Sequence, residues 1–247
     1  MNSSSIKIIP HIDNECLSII RKELNELIYS EDYMNLSLEE YREIILKFQN
    51  SLVQKQINRL IFKNIEAGVN EYFDNQKILI QSFLYLRSTR PISKSTPHSM
   101  EAIPFHRESF YGDIQKKVYN VWTPIYGELT PKALLYIPES QNIPDEDIIT
   151  ESHIDKYTKI NSHGHKLGFL YQPKNIVNGV NLGNQKPMIT NFHQSALFSG
   201  NLIHGPRQND SNQLRVSIDF KIIKKSEYEI NLDKKHITSE KYYFEEI

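Results

Sequence analysis

Phe105-His106-Arg107-Glu108 is the stretch on which the reading of this 247-residue chain turns, together with a second histidine, His204, which lies 98 positions (204 minus 106) further on. In an extended segment alternate side chains share a face, so His106 and Glu108 point one way and Arg107 points the other. If strand pairing brings His204 to that face, two histidines and one carboxylate converge. That set holds non-haem Fe(II) from one side and leaves three positions open.

A His-x-acid pattern is weak by itself, because nine histidines in a chain with 30 acidic residues produce it by chance. There are two rivals. His11-Ile12-Asp13 stands where a helix begins, and Asp13 reads as its N-cap. His153-Ile154-Asp155 lies in a polar stretch beginning Pro144-Asp145-Glu146-Asp147 and reads as a surface loop or short helix. The segments beyond Glu108 favour the pair at 106 and 108. Val118-Tyr119-Asn120-Val121-Trp122-Thr123-Pro124-Ile125 is an apolar and aromatic run of the kind that forms a buried strand. Gly127-Glu128-Leu129 is a turn, followed by Ala133-Leu134-Leu135-Tyr136-Ile137-Pro138-Glu139-Ser140. The C-terminal half supplies the run from Gln194 to Gly205, and then Arg215-Val216-Ser217-Ile218-Asp219-Phe220.

In this order the segments resemble the phytanoyl-CoA-dioxygenase-like branch of the Fe(II)- and 2-oxoglutarate-dependent oxygenases, over about residues 78 to 223. The pattern of that family is a His-x-acid motif, a tryptophan-bearing strand, a leucine turn leading to a Pro-x-Ser end, a distal histidine, and an arginine some ten residues beyond it. Here Arg215 follows His204 by eleven residues (215 minus 204). Trp122-Thr123-Pro124 and Ile137-Pro138-Glu139-Ser140 are similar above all to the oxygenases of sugar and aminoglycoside biosynthetic clusters. Two departures stand out. Glu108 replaces the commoner aspartate, and Glu139-Ser140-Gln141 replaces the usual Gly-Ser-His.

The resemblance implies a mainly β fold with flanking helices, a double-stranded β-helix (jelly-roll, cupin-like) core. It implies Fe(II) held by His106, Glu108 and His204 as metal ligands and catalytic centre, with 2-oxoglutarate as cosubstrate and dioxygen as oxidant. Arg215 suits the distal carboxylate of 2-oxoglutarate, since a guanidinium meets a carboxylate with two parallel hydrogen bonds. Ser217 shares a strand face with Arg215, and Asn120 and Gln81 are further candidates for the same cosubstrate. Tyr85, Arg87, His98 and Arg107 are candidate substrate contacts. The implied reaction is oxidation of a small molecule, hydroxylation by default, with a sugar, nucleotide sugar or related intermediate as substrate. The alternative is a cupin-like jelly-roll protein that binds a metal or carbohydrate without oxygen chemistry. Arg215 favours the oxygenase, because a metal-only site has no need of it.

The length fits one domain with a proper core. Residues 1–76 read as N-terminal helices, 77–223 as the jelly-roll core with a lid or insertion at about 139–190, and 224–247 as a tail packing on the domain or on a second subunit of a homodimer. A net charge of −1, from 29 basic and 30 acidic residues, leaves no electrostatic footprint for nucleic acid or an anionic membrane. The single cysteine, Cys16, excludes an internal disulfide and points to a reducing compartment. Met1 to Pro10 has no apolar leader core, and no run of ~18 apolar residues occurs. The expectation is a cytoplasmic, soluble protein.

Residues 14–29 place Cys16, Ile19, Ile20, Leu24, Leu27 and Ile28 at helical spacing. Ser37 with Glu40 forms a capping box, and helical spacing continues to about residue 74 with a break near Asn50, bracing the outer face of a sheet. From Lys77 to Ser88 the period becomes that of a strand, with Gln81, Phe83, Tyr85 and Arg87 on one face. Two readings stand for that face: contacts to cosubstrate or substrate, or a plain strand end. Two also stand for His98, in the loop from Arg90 to Pro104: a substrate contact or an exposed loop histidine. Within 139–190, Leu167 to Tyr171 reads as a strand, and His163-Gly164-His165 lacks the partners of a second metal site.

Overall fold

The helical spacing of the first third becomes three helices behind a short edge strand: β1 (Ile6–Pro10), α1 (Glu15–Ser30), α2 (Leu38–Gln54) and α3 (Ile57–Tyr72). The computed structural model describes residues 5–30, 33–91, 103–127, 134–231 and 243–247. The capping box forms as expected: Glu40 N donates to Ser37 Oγ (3.3 Å) and Ser37 N to Glu40 Oε2 (2.9 Å). Such a cap contributes about 1 kcal/mol by satisfying amides that have no intrahelical acceptor. The expected break near Asn50 falls later. Asn50 remains inside α2, and the chain turns at Gln56, whose φ of 52° is left-handed.

The remaining elements are β2 (Ile78–Gln81), β3 (Tyr85–Thr89), β4 (Tyr119–Tyr126), β5 (Leu135–Tyr136), β6 (Ile149–Ser152), α4 (His163–Lys166) and β7 (Lys174–Asn178). After them come β8 (Lys186–Pro187), β9 (Gln194–Ser199), β10 (His204–Gly205), β11 (Arg215–Lys224), α5 (Lys225–Asn231) and β12 (Phe244–Glu245). The large antiparallel sheet runs β1-β9-β4-β11-β2-β12, with β3 also paired to β11. A three-stranded sheet, β10-β5-β8, and the β6-β7 hairpin complete the architecture. The protein is thus a mixed α/β fold of antiparallel sheets with N-terminal helices.

β11 is the centre of the large sheet, held by β4 on one side and by β2 and β3 in succession on the other. Its alternation divides the molecule. Val216, Ile218, Phe220 and Ile222 enter one apolar core with Ile20 and Leu24 of α1, Leu52 of α2 and Ile61 of α3. Arg215, Ser217 and Asp219 face the opposite side, into a cavity.

Two expectations need correction. The strand anticipated from Lys77 to Ser88 is interrupted at residues 82–84, so Gln81 and Arg87 do not lie on one continuous face. Gln81 is fully buried, and its Oε1 accepts from Lys221 N (2.9 Å), filling the ladder where the strand breaks. Leu167 to Tyr171 is not a strand. Ser162 caps α4, with His165 N donating to Ser162 Oγ (3.3 Å), and Gly168 at φ +87° ends it, so Ser and Gly punctuation outweighs the β-like apolar run. Of the two readings of the tail, its described end follows the first: β12 pairs with β2, and Phe244 meets Tyr228 at 5.4 Å between ring centroids.

Candidate metal centre and cavity

His106 and His204 are brought together by backbone, as strand pairing required. His106 N donates to His204 O and His204 N to His106 O, both at 2.9 Å, forming an antiparallel bridge that sets the ring centroids 4.6 Å apart. Arg107 is extended (φ −130°, ψ 155°), so Glu108 returns to the side of His106 before a 3₁₀ turn begins. One ligand atom from each of His106, Glu108 and His204 lies within 4.8 Å of the others. Among the described residues no other cluster of His, Cys, Asp or Glu is grouped this way.

Each imidazole is oriented by a carbonyl. His106 Nδ1 is 2.7 Å from Pro104 O, and His204 Nδ1 is 2.9 Å from Leu202 O. A carbonyl only accepts, so both Nδ1 atoms carry the proton and both Nε2 lone pairs remain for a cation. Burial, with the neighbouring His204, pushes the His106 pKa down to about 3, and burial lowers His204 as well. Both rings are therefore neutral ligands near pH 7. Burial alone raises the Glu108 pKa, but the Lys221 charge, aided by the two histidines, carries it down to about 2. The donor set fits a divalent cation of the Fe(II) type: two imidazoles, one ionised carboxylate.

The Pro-x-Ser end seen in the sequence has a local purpose. Ser140 Oγ accepts from Ile203 N (2.8 Å) and Ile137 N donates to Ile203 O (2.9 Å), fixing the residue before His204. β10 is further held by the pairing of His204 with Tyr136.

The cluster opens into a cavity of about 780 Å³, its mouth included. Pair registers lay out its wall. Asp219 stands opposite Trp122 on β4 and Tyr85 on β3, Ser217 opposite Pro124 and Arg87, and Lys221 opposite Asn120. Arg215 lines the cavity, donating Nη1 to Arg207 O (3.1 Å) and Nη2 to Thr89 Oγ1 (3.3 Å), while burial lowers its pKa to about 10. Ser217 and Asn120 also line it, and Asn120 Nδ2 is buried without a hydrogen-bond partner in the protein. Asn120 stands at the Lys221 end of the wall rather than beside Arg215. An orphaned donor in a cavity that also holds a buried guanidinium fits an anionic ligand such as a 2-oxo acid.

The other candidates divide. Arg87 lines the cavity in an ion pair with Asp219 (Nε to Oδ1, 3.0 Å), its guanidinium 4.7 Å from the centre of the Tyr85 ring. Tyr85 is buried as the support of Arg87 and is not part of the lining. Two further assignments are corrected. Gln81 is engaged in the sheet and does not reach the cavity. Arg107 is 2% exposed and turned away, donating to Ile143 O (2.7 Å) and bonded to the Asp145 carboxylate. It ties the metal-ligand loop to the 140–147 segment and does not line the cavity. His98 lies outside the described residues.

Of the rival motifs, His11 Nε2 meets Ser195 Oγ at 2.8 Å, and Asp13 Oδ1 accepts from Glu15 N (3.1 Å) at the start of α1. His153 is exposed beside Glu151. His163 and His165 sit on α4, with His163 Nδ1 3.4 Å from Glu39. Sequence reasoning missed Asp219 and Lys221. The signal was available in the strand parity already used for Ser217, since 215, 217, 219 and 221 share a face.

No family model matches the chain, and no curated protein matches it. Solved structures do. EvdO2 from Micromonospora carbonacea var. aurantiaca is 12% identical with a TM-score of 0.56, covering 90% of this chain and 87% of its own. AviO1 from Streptomyces viridochromogenes is 12% identical with a TM-score of 0.52, covering 89% of each chain. The non-heme monooxygenase ThoJ, in its apo form, is 11% identical with a TM-score of 0.53, covering 90% of this chain and 75% of its own. At such identities the likeness is one of fold alone, that of antiparallel sheets with N-terminal helices.

Proposed function

We propose that the chain is an Fe(II)- and 2-oxoglutarate-dependent oxygenase that oxidises a small molecule, with hydroxylation as its default outcome. The observation that carries this reading is the meeting of His106, Glu108 and His204 in the same cavity that Arg215 lines. Bound together, Fe(II) and 2-oxoglutarate supply a redox centre and two electrons, one oxygen atom of O2 going to succinate, with loss of CO2, and the other to a substrate C–H bond. In this reading His106 Nε2, His204 Nε2 and a Glu108 oxygen hold the cation from one side. Arg215 pairs with the distal carboxylate of 2-oxoglutarate, assisted by the Ser217 hydroxyl, and Asn120 Nδ2 donates nearer the metal. Trp122, Leu134 and Phe198 exclude water from the reacting end.

The substrate we favour is carbohydrate-derived. A cavity that joins the rings of Trp122 and Phe169 to the Arg87–Asp219 ion pair offers apolar faces and hydroxyl partners side by side. The two antiparallel sheets are read as the walls of a jelly-roll, in a single domain with its N-terminal helices, working in a reducing cytoplasm. No helix among the described residues is long and apolar enough to cross a membrane. The cupin-like alternative leaves Arg215 only its bonds to Arg207 O and Thr89 Oγ1 and no ligand to meet in the cavity.

The test is anaerobic addition of Fe(II) and 2-oxoglutarate to the purified protein, followed by O2. A weak visible charge-transfer band, then succinate release, is the expected result. A folded protein that gives neither is not this enzyme.

A further inference from the structure

We propose that Lys221 is a positioning residue for Glu108: it holds the carboxylate in place and balances its charge before a cation binds, at the expense of cation affinity. The inference rests on reading His106, Glu108 and His204 as a metal centre.

Lys221 is 8% exposed and lies on the cavity-facing parity of β11. Its Nζ contacts Glu108 Oε2 and donates to Gln115 Oε1 (3.0 Å), with Gln115 itself buried. Its backbone is fixed as well, Lys221 N donating to Gln81 Oε1 (2.9 Å). The ammonium thus approaches Glu108 from the sheet, and one carboxylate oxygen is engaged. The other remains for the face shared with the two imidazoles.

The energetic argument concerns two states. Without a cation, an ionised carboxylate buried beside two neutral rings is costly unless a charge answers it, and Lys221 is that charge. With a divalent cation in place, the carboxylate is answered twice. The ammonium and the metal then repel each other across a few ångströms of poorly screened interior. Lys221 therefore stabilises the empty geometry more than the filled one. Glu108 suits this arrangement better than the shorter aspartate, because it must reach a lysine on β11 and a cation beside the histidines from the start of a 3₁₀ turn.

The experiment titrates Co(II), which is stable in air and reports its ligands by visible absorption, into wild type, Lys221→Met and Lys221→Arg. Tm is measured with and without the ion. In Lys221→Met the metal-free Tm is expected to fall, the Co(II)-dependent rise in Tm to exceed that of wild type, and Co(II) to bind on the order of tenfold more tightly. Lys221→Arg, which keeps the charge, is expected to return both quantities towards wild type. A lysine that merely packs would lower Tm without strengthening metal binding. Equal or weaker Co(II) affinity in Lys221→Met overturns the proposal.

Should Lys221→Met fold poorly, the double variant Glu108→Gln/Lys221→Met decides. Removal of both charges is expected to recover most of the lost metal-free Tm, and failure to recover it also overturns the proposal. Absence of any Co(II) response in folded wild type overturns the metal centre itself, a result distinct from the others.

Discussion

The cavity is built from two regions held by different means. Its β11 wall is a ten-residue strand flanked on both sides by other strands, so Arg215, Ser217 and Asp219 are placed by an unbroken ladder to β3, with the ladder to β4 shifting register between Val216 and Ser217. Its metal end has almost none of that. His106 belongs to an isolated bridge, Glu108 opens a 3₁₀ turn, and His204 begins a two-residue strand. There the side chains supply the fixing that the sheet supplies elsewhere: Pro104 O and Leu202 O on the imidazoles, Ser140 Oγ on Ile203 N, Lys221 on Glu108, and Arg107 on Asp145. Positions on the wall should accordingly tolerate substitution as local losses of ligand binding. At the metal end the supports, as distinct from the ligands they hold, should couple binding to stability.

The largest effect separates ligation from folding. His106→Ala and His204→Ala are each expected to abolish Fe(II) binding and succinate release while Tm of the metal-free protein changes little, because each ring gives up one hydrogen bond, to Pro104 O or Leu202 O, and the backbone bridge between the two residues stays. Retained iron binding in either variant would move the metal elsewhere, and the contrast between wall and metal end would lose one of its two regions.

Next in size is Arg107→Met, which touches neither metal nor cavity. Its guanidinium is buried between two carbonyls and Asp145, while Asp145 also accepts from Ser109 Oγ (2.9 Å) and keeps partial access to water. Stability is expected to fall by about 1–3 kcal/mol, the cost of leaving the buried carbonyls without their donor, since Asp145 keeps Lys116 (3.1 Å) and Ser109 as partners. Iron affinity should fall with it, since Arg107 sits between two ligands. Urea unfolding and iron content measure the two. Loss of stability with undiminished iron affinity would mean that the loop keeps its shape without the clamp.

These two regions also differed in how far the sequence revealed them. The wall was legible: the apolar run around Trp122 is β4, and strand parity from Arg215 correctly gives Ser217 a shared face. The helices were legible for the same reason, since periodicity and a capping box are local signals. At the metal end the residues could be picked by motif, but their supports could not. Arg107 looked like a substrate contact because nothing local shows that Ile143 O and Asp145 lie behind it. Gln81 looked like a cosubstrate ligand because parity was carried through residues 82–84, where the chain leaves the ladder between its pairings with two successive stretches of β11. Parity puts Lys221 on the face of Ser217, but it is 113 residues from Glu108 and nothing local shows that the two meet.

On the wall, Arg215→Leu is expected to weaken 2-oxoglutarate binding while leaving iron binding and fold nearly intact. Charge-assisted hydrogen bonds to a carboxylate contribute roughly 1.5–3 kcal/mol, or about one to two decades in affinity. The measurement is anaerobic titration of the Fe(II) protein with 2-oxoglutarate. Unchanged affinity would remove Arg215 from the site, and a large fall in Tm would make the wall as coupled to stability as the metal end.

The smallest effect tests the join between the two regions, at Asn120. It lies on the regular strand β4 but stands opposite Lys221, and its Nδ2 is buried with no partner in the protein. A buried unpaired donor destabilises the state that contains it, by about 1–3 kcal/mol. Asn120→Ala removes that group from a surface that already faces open space, so the metal-free protein should melt at the same temperature or slightly higher. If 2-oxoglutarate accepts from Nδ2, the same change removes one hydrogen bond of about 0.5–1.5 kcal/mol, and affinity should fall by roughly three- to tenfold. Stability and affinity then move in opposite directions, a signature that neither a packing residue nor a bystander produces. A variant that loses stability and keeps its 2-oxoglutarate affinity would show that Asn120 belongs to the sheet alone, with the cosubstrate held without help from β4.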